Sequence, residues 1–569
     1  MRDDVAPQFN ALGGSEMLDL INDLGHRSCH AAKISKIRSR TSSVSKREAE
    51  PDGWAYRPYH LIKVSCDSPG RVLNRQGGGE TPGGPFLWWR VDSFALGGEF
   101  CTFSGDMATY DLIVIGAGPA GYVAAIKAAQ LGKKVACVDK ERGGGTCNNW
   151  GCIPTKALLK NAELYHDIAH RAEEFGLKID GVSFDWSKII KRSRDISQKG
   201  SGGVDYLFKK NKIDSLRGEA ILEKAGQVKV KLADGKEETH TAAKILIATG
   251  CVSRPMPGFP FNGKTVIGSR EAVVLENLPK SAVIIGAGAI GIEFAYIFNA
   301  FGTKVTVVEM LPNILPVEDT EVSQTLEKSF TKQGVTLLTS HKTTKTEASD
   351  RGVKITVADA KGVEKVLEAD LALVAIGVSP VLPAGGLKIG LTEKGYIQVN
   401  DRYETTIPGI YAAGDIIGPP WLAHVATFEA LEAVEGMFVP GKKPKKVTLF
   451  PGCTYCHPQV ASVGLTERAA QEKGLKFKIG KFPFMASGKA RAIGESEGFV
   501  KLIVGEPHGE ILGAHIIGAD ATEMIAELGL AISSELTLDE IHATIHAHPT
   551  LSEAVHEAAL SAEGLAIHV

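Results

Sequence analysis

Tyr110-Asp111-Leu112-Ile113-Val114-Ile115-Gly116-Ala117-Gly118-Pro119-Ala120-Gly121 decides the fold of this chain. An apolar run of strand type leads into glycines spaced G-x-G-x-x-G, and a helical stretch from Tyr122 to Leu131 follows. Gly132 ends that helix, and Lys134 to Val138 makes a second strand closing on Asp139. The three glycines do different things. Gly116 makes the tight turn, Gly118 lets the backbone approach a pyrophosphate, and Gly121 lets helix and strand pack closely. The helix N-terminus faces the phosphates. Asp139, 18 residues after Gly121, is placed to hold a ribose hydroxyl.

The same unit recurs. Ser281 to Ile285 is a strand, Gly286-Ala287-Gly288-Ala289-Ile290-Gly291 the turn, Ile292 to Phe301 the helix, and Lys304 to Val308 a strand ending at Glu309. Gly116 to Asp139 spans 23 positions, and so does Gly286 to Glu309. One bare G-x-G-x-x-G is weak, because glycine-rich turns also occur in plain structural loops. Two in full strand–helix–strand context, each closed by an acid, are strong. Glu309 suits a free 2′-hydroxyl and repels a 2′-phosphate, and Met310-Leu311-Pro312 offers no arginine, so the second nucleotide is expected to be NAD(H). Further along, Ile410-Tyr411-Ala412-Ala413-Gly414-Asp415 fits a carboxylate set against a sugar-like chain; a plain strand-end turn is the stronger account of it in isolation. Two buried-type strands stopping at glycine, Lys244 to Gly250 and Leu371 to Gly377, bracket the second unit, which predicts that the second domain is inserted into the first.

Gly144-Gly145-Thr146-Cys147-Asn148-Asn149-Trp150-Gly151-Cys152-Ile153-Pro154 follows the first unit, and Cys147 comes eight residues after Asp139. A thiol pair beside a nucleotide-borne ring is the layout of a flavin–disulfide relay that moves two electrons between a thiol and a nicotinamide. Cys152 stands near the N-terminus of a helix expected over Thr155 to His166, where the dipole lowers a thiol pKa. Lys156, one turn on, adds positive charge. Two buried structural cysteines are the alternative; a C-x4-C pair without matching Cys or His is a poor zinc site, and no metal is expected. A second pair, Cys453-Thr454-Tyr455-Cys456, has redox or metal spacing. It sits in a strand-like stretch before His457-Pro458, far in sequence from either nucleotide unit, and is read as structural. Cys137 is expected in the core, and the role of Cys251 is open.

A thiol substrate sheds protons as it reduces a disulfide, which calls for a base of near-neutral pKa. The late segment Ile541-His542-Ala543-Thr544-Ile545-His546-Ala547-His548-Pro549-Thr550-Leu551-Ser552-Glu553 is rich in candidates. His548 with Glu553 makes a base and its orienting group. A histidine-rich helix cap, or metal binding by His542, His546 and His548, fits the spacing equally well.

The chain has 569 residues, room for three or four domains, with 44% hydrophobic and 23% charged residues and a formal charge of −2. Nothing in that balance favours nucleic acid or an anionic membrane, and no apolar run approaches the roughly 20 residues of a membrane helix. Nine cysteines in such a length do not make a disulfide-stapled secreted scaffold. Residues 1–106 read as disordered extension, or as sequence upstream of a start at Met107. They carry Gly77-Gly78-Gly79, Trp88-Trp89, Cys29, Cys66 and Cys101 but no secretory core, and Asp3 and Asp4 argue against an acid-poor transit peptide. A cytoplasmic location is expected, with an organellar matrix left open.

In combination and in order, the two units, the Gly144–Pro154 motif, Gly414-Asp415 and His548-Pro549-Thr550-Leu551-Ser552-Glu553 resemble the flavin disulfide reductases. These are the class I pyridine nucleotide-disulfide oxidoreductases, and within them the motifs are similar to those of the dihydrolipoyl dehydrogenases. The resemblance runs from about Met107 to the C-terminus. It implies an α/β chain of two Rossmann-like domains, an NAD domain (253–377) inserted in an FAD domain (107–252 and 378–447), and a C-terminal α+β dimerisation domain (448–569). It implies FAD and NAD as cofactors, a homodimer, and protein-bound dihydrolipoamide as the electron donor. The partners would be lipoyl domains of 2-oxo acid dehydrogenase complexes or of glycine cleavage. By the motif, Cys147 is the thiol that meets substrate and Cys152 the thiol that faces the flavin. Lys156 sits by the flavin paired with Glu293, and His548, supported by Glu553, acts on the partner subunit's site. Asp415 binds the ribitol, Ala423 and His424 match the segment beneath the ring, and Gly250 and Gly377 join Gly116, Gly118, Gly121, Asp139, Gly286, Gly288, Gly291 and Glu309 as cofactor contacts. Two departures stand out. Asn148-Asn149-Trp150 replaces the usual Leu-Asn-Val, with Trp150 large enough to narrow the approach to the thiols; Val378-Ser379-Pro380-Val381 replaces Arg-Arg-Pro-Asn, removing a basic contact. Glu309-Met310-Leu311 disfavours glutathione reductase, and the ending Gly564-Leu565-Ala566-Ile567-His568-Val569 lacks the cysteine pair of mercuric reductase. A non-enzymatic flavoprotein scaffold is disfavoured by the intact Cys147, Cys152, His548 and Glu553.

Overall fold

Apolar runs buried on both faces call for parallel sheets covered by helices, and the chain builds two. The computed structural model describes residues 109–569; the expectations for residues 1–106, with Cys29, Cys66, Cys101 and Trp88-Trp89, lie outside the described residues. In the first sheet, β1 (Tyr110–Ile115) runs parallel to β2 (Val135–Asp139) and β5 (Glu237–Ile247). β2 continues to β3 (Asp214–Lys224), and β4 (Gln227–Leu232) links β3 and β5 as an antiparallel meander. The second sheet has the order β10-β9-β8-β14-β7, all parallel. Its strands are β7 (Val266–Ile267), β8 (Ser281–Ile285), β9 (Lys304–Val308), β10 (Thr336–Leu338) and β14 (Leu371–Val374). A smaller antiparallel sheet, β11 (Lys342–Ser349), β12 (Gly352–Ala358) and β13 (Glu364–Ala369), stands beside it.

The insertion is visible in the pairing. β5 ends the outgoing part of the first sheet, and β16 (Ile410–Ala412) comes back to pair with it after the second sheet is complete. The two crossings, β6 (Cys251–Ser253) and β15 (Val378–Pro380), pair with each other. Gly250 and Gly377, at φ +69° and +112°, turn the chain out of the sheets into that hinge.

The helices α1 (Pro119–Gln130) and α6 (Ala289–Ala300) start three residues before the expected Tyr122 and Ile292. Their first turn takes in the last glycine of each motif, and Pro119 stands at the start of α1, where its missing N–H costs nothing. The glycines behave alike in both units. A Cβ on Gly121 would lie 1.7 Å from the carbonyl oxygen of Gly116, and one on Gly291 would lie 2.0 Å from that of Gly286.

The C-terminal sheet is antiparallel with the order β17-β18-β21-β20-β19: β17 (Pro451–Thr454), β18 (Gln459–Gly464), β19 (Phe477–Pro483), β20 (Phe499–Gly505) and β21 (Ile511–Gly518). Met524, Ile525 and Leu528 of α8 (Ala521–Ser533) and Val555, Ala558 and Ala559 of α9 (Glu553–Ala562) fill its core. At the β17–β18 corner, Cys456 and Val460 join Phe294 and Phe298 of α6 in one core. This contact brings the C-terminal domain to the site. Among the described residues, no helix is long and apolar enough to cross a membrane.

Candidate functional site

Glycines set up the thiols. Gly144 and Gly145, at φ +98° and +55°, turn the chain into a short helix, α2 (Gly145–Trp150), which carries Cys147. After Gly151, α3 begins at Cys152 and runs to His166. This corrects the expected start at Thr155: Cys152 is the first helical residue and not merely near the end. Both thiols are free. The neighbouring Cys147 thiol, sharing a proton with Cys152, holds Cys152 below the ordinary thiol range. Burial opposes that shift and Lys156 favours it. The same shared proton, together with burial, pushes Cys147 far above the ordinary thiol range. The pair together thus favours one thiolate and one thiol at neutral pH.

Every residue between the cysteines is fastened. Asn148 Nδ2 donates to the Ser197 carbonyl of α4 (Trp186–Lys210) at 2.9 Å, and buried Asn149 donates to the Gly143 carbonyl at 3.1 Å. Trp150 Nε1 donates to Glu141 Oε2 at 2.6 Å. The guanidiniums of Arg270 and Arg194 lie over the indole at 4.0 and 4.7 Å, and Arg270 also pairs with Glu141 at 2.7 Å. Trp150 was expected to narrow the approach to the thiols; the structure gives its ring a definite job as the centre of a Glu–Arg cluster. Arg270 lies on α5 (Ser269–Ala272), so this cluster ties the thiol segment to the second-sheet region.

Lys156 Nζ reaches both carboxylate oxygens of Glu293 at 2.8 Å, as the resemblance implied. Tyr455 completes the group. Its ring lies 4.4 Å from Lys156 Nζ, and its N–H donates to Glu293 Oε1 at 3.0 Å. The Cys453–Cys456 segment, far from the nucleotide units in sequence, is therefore adjacent to the thiol site in space. Burial disfavours the thiolate of its own cysteines, pushing Cys453 up to about 11 and Cys456 higher still.

The acids closing the two units are held identically. Asp139 accepts from the N–H groups of Ala117 (2.6 Å) and Glu141 (2.7 Å), and Glu309 from those of Ala287 (2.8 Å) and Leu311 (2.9 Å). Asp415 opens a short helical turn after Gly414, and burial pushes its carboxyl up to about 6. Ala423 is the first residue of α7 (Ala423–Phe438), and His424 Nε2 lies 3.0 Å from the Pro451 carbonyl. Just past β6, Arg254 Nη2 donates to the Val378 carbonyl at 2.6 Å and Nε to Ser379 Oγ at 3.4 Å, tying the two crossings together.

In the C-terminal domain, His548 Nδ1 lies 2.8 Å from Glu553 Oε1, and Glu553 Oε2 accepts the Thr550 N–H at 2.8 Å. The neighbouring histidines go elsewhere: His546 pairs with Glu527 at 2.8 Å, and His542 faces Glu563 at 3.8 Å. Among the described residues, no group of three His, Cys, Asp or Glu side chains is arranged to hold a metal. His548 is 81% exposed, and among the described residues no hydrogen bond joins it to either thiol of its own chain.

Residues 110–430 match the family described as pyridine nucleotide-disulphide oxidoreductase, and residues 450–559 match that family's dimerisation domain. The chain belongs to the pyridine nucleotide-disulphide oxidoreductases. It is 46% identical over 460 residues to a dihydrolipoyl dehydrogenase of Chlorobaculum parvum, covering 80% of this chain and 97% of the relative. It is 45% identical over 477 residues to that of Bacillus subtilis, covering 81% and 100%. Among solved structures it resembles LpdA from Mycobacterium tuberculosis, with a TM-score of 0.72 at 26% identity, covering 79% of this chain and 98% of that one. The flavoprotein disulfide reductase RclA from Escherichia coli gives 0.70 at 26% identity, covering 80% and 99%.

The family's cofactors are FAD and NAD, and the residues present suit both. No atom lies within 4 Å of where a Cβ on Gly288 would stand, and only the Gly145 Cα, at 3.8 Å, comes so near for Gly118. Each motif therefore leaves its second glycine clear for a pyrophosphate at a helix N-terminus. Among the described residues, the Asp415 carboxylate accepts no hydrogen bond from another residue, which leaves it open to a hydroxyl. The sequence had not singled out Tyr455, Glu141, Arg270 or Arg254. Each acts through a partner distant in the chain, and no local spacing announces it.

Proposed function

We infer that the chain has dihydrolipoyl dehydrogenase activity: it oxidises protein-bound dihydrolipoamide and reduces NAD+. One observation carries this, the Cys147–Cys152 pair with Cys152 at a helix N-terminus beside Lys156, next to the first nucleotide unit. The relatives, about 45% identical over four-fifths of the chain, support the substrate. Dihydrolipoamide loses two electrons and two protons. The Cys147–Cys152 disulfide takes up the electrons as its S–S bond breaks, NAD+ finally accepts both electrons with one proton, and the other proton goes to solvent. Bound FAD supplies the electron passage between the dithiol and NAD+. Cys147 meets the substrate sulfur, and Cys152 keeps the flavin-side thiolate. His548 takes the substrate's thiol proton, and Glu553 holds the imidazole by Nδ1, leaving Nε2 free to act.

The exposure of His548 and its separation from the thiols of its own chain support a homodimer in which each chain's His548–Glu553 pair serves the other's thiols. The division proposed is an FAD domain of 107–252 and 378–447, an NAD domain of 253–377 and an interface domain of 448–569. The donors proposed are lipoyl domains of 2-oxo acid dehydrogenase complexes or of glycine cleavage. Lipoamide-dependent oxidation of NADH is expected to exceed the same assay with NADPH or with glutathione disulfide by more than about tenfold, since Glu309 repels a 2′-phosphate. Equal rates would contradict the assignment of substrate and nucleotide.

A further inference from the structure

The second cysteine motif delivers to the thiol site something that neither of its cysteines supplies. Tyr455 touches both halves of an ion pair: its ring lies under the Lys156 ammonium, and its N–H holds Glu293 Oε1. Glu293 is rigid, with its side chain 6% exposed in α6, whereas the Lys156 side chain is 33% exposed on a flexible four-carbon arm. A point charge held by one carboxylate can pivot about it. An aromatic face beneath it attracts the ammonium in one orientation only, by roughly 0.5–2 kcal/mol. The ring itself is fixed, because Tyr455 packs on the core shared with α6.

We propose that Tyr455 is a positioning residue for the thiol–flavin step: its ring holds the Lys156 ammonium against Cys152 and so sets how much of Cys152 stands as thiolate at neutral pH. This rests on the thiol-relay function inferred above. The other ionisable groups around the pair are Cys147 on α2, Glu293 on α6, Asp415 after β16, and Cys453 and Cys456 flanking the ring. Glu318 and Glu523 lie farther out, beside Cys453. Of the charged groups acting on Cys152, Lys156 favours the thiolate and Glu293 opposes it. Loosening Lys156 must therefore move thiolate formation to higher pH.

The test uses the flavin-loaded protein, reduced anaerobically by two electrons and titrated with acid and base. The long-wavelength absorbance of a thiolate lying against flavin is followed through the titration. In Tyr455→Leu the midpoint is expected to rise by roughly half a pH unit or more, while Tyr455→Phe, which keeps the ring, stays at the wild-type midpoint. A series of fluorinated phenylalanines at position 455 preserves shape while draining the ring's negative face. It should shift the midpoint upward step by step even if the leucine variant folds poorly. A midpoint indifferent to fluorination overturns the proposal. Absence of the band in the wild type would instead overturn the thiol-relay function on which it rests.

Discussion

Two cysteine pairs lie close together, and their surroundings differ. Cys147 and Cys152 lie on two helices joined at Gly151; Cys152 stands at a helix N-terminus near Lys156 and is held below the ordinary thiol range. Cys453 and Cys456 close a strand, and burial pushes Cys453 up to about 11 and Cys456 beyond it. Spacing alone would favour the second pair, since C-x-x-C is the better-known redox pattern. Local environment reverses the ranking: nearby charge and a helix end favour a thiolate, and a greasy strand end makes a small hydrophobe.

The largest expected effect comes from breaking the first pair. Cys152→Ser should cut lipoamide turnover by at least about 10³-fold, as loss of a covalent participant does, whereas Cys456→Ser should leave turnover near wild type. A comparable loss in both would erase the distinction. Alkylation of the reduced protein sharpens it further. At pH 7 iodoacetamide should label the Cys147–Cys152 pair far faster than Cys453, because the pair holds a thiolate below the ordinary thiol range while burial pushes Cys453 up. The sign is fixed by the depressed thiol: lowering the pH from 7 to 5 protonates the thiolate and should slow labelling of the pair steeply. Mass mapping of the labelled peptides reads both outcomes.

The base should serve only the reactive pair. His548→Gln is expected to reduce dihydrolipoamide oxidation on the order of 10²–10³-fold, with flavin content unchanged in the visible spectrum and Cys152 labelling unaltered. The smallest effect is structural. Cys456 donates weakly to the Pro458 carbonyl at 3.2 Å inside the core, so Cys456→Ala should cost about 1 kcal/mol in a denaturant melt.

Both nucleotide units were legible because their information is local. Turn, close approach and acid recur at fixed spacing, and the strands Tyr110–Ile115, Ser281–Ile285 and Lys304–Val308 lie where the apolar runs put them. His548 and Glu553 were legible for the same reason, being five residues apart. What the sequence could not show is contact across the chain. Tyr455 meets Lys156 because β17 docks on α6, and Arg254 reaches Val378-Ser379 because two hinge strands pair. For Trp150 the sequence showed a bulky side chain but not its partners, since Glu141, Arg194 and Arg270 come from three separate segments.

The most direct measurement is an anaerobic titration of the oxidised, flavin-loaded protein with one equivalent of dihydrolipoamide in the absence of NAD+, followed by visible absorbance. The wild type and Cys456→Ser should both develop the long-wavelength band, and Cys152→Ser should not. A colourless protein, or a band that survives Cys152→Ser and vanishes in Cys456→Ser, would contradict the assignment of the reactive pair.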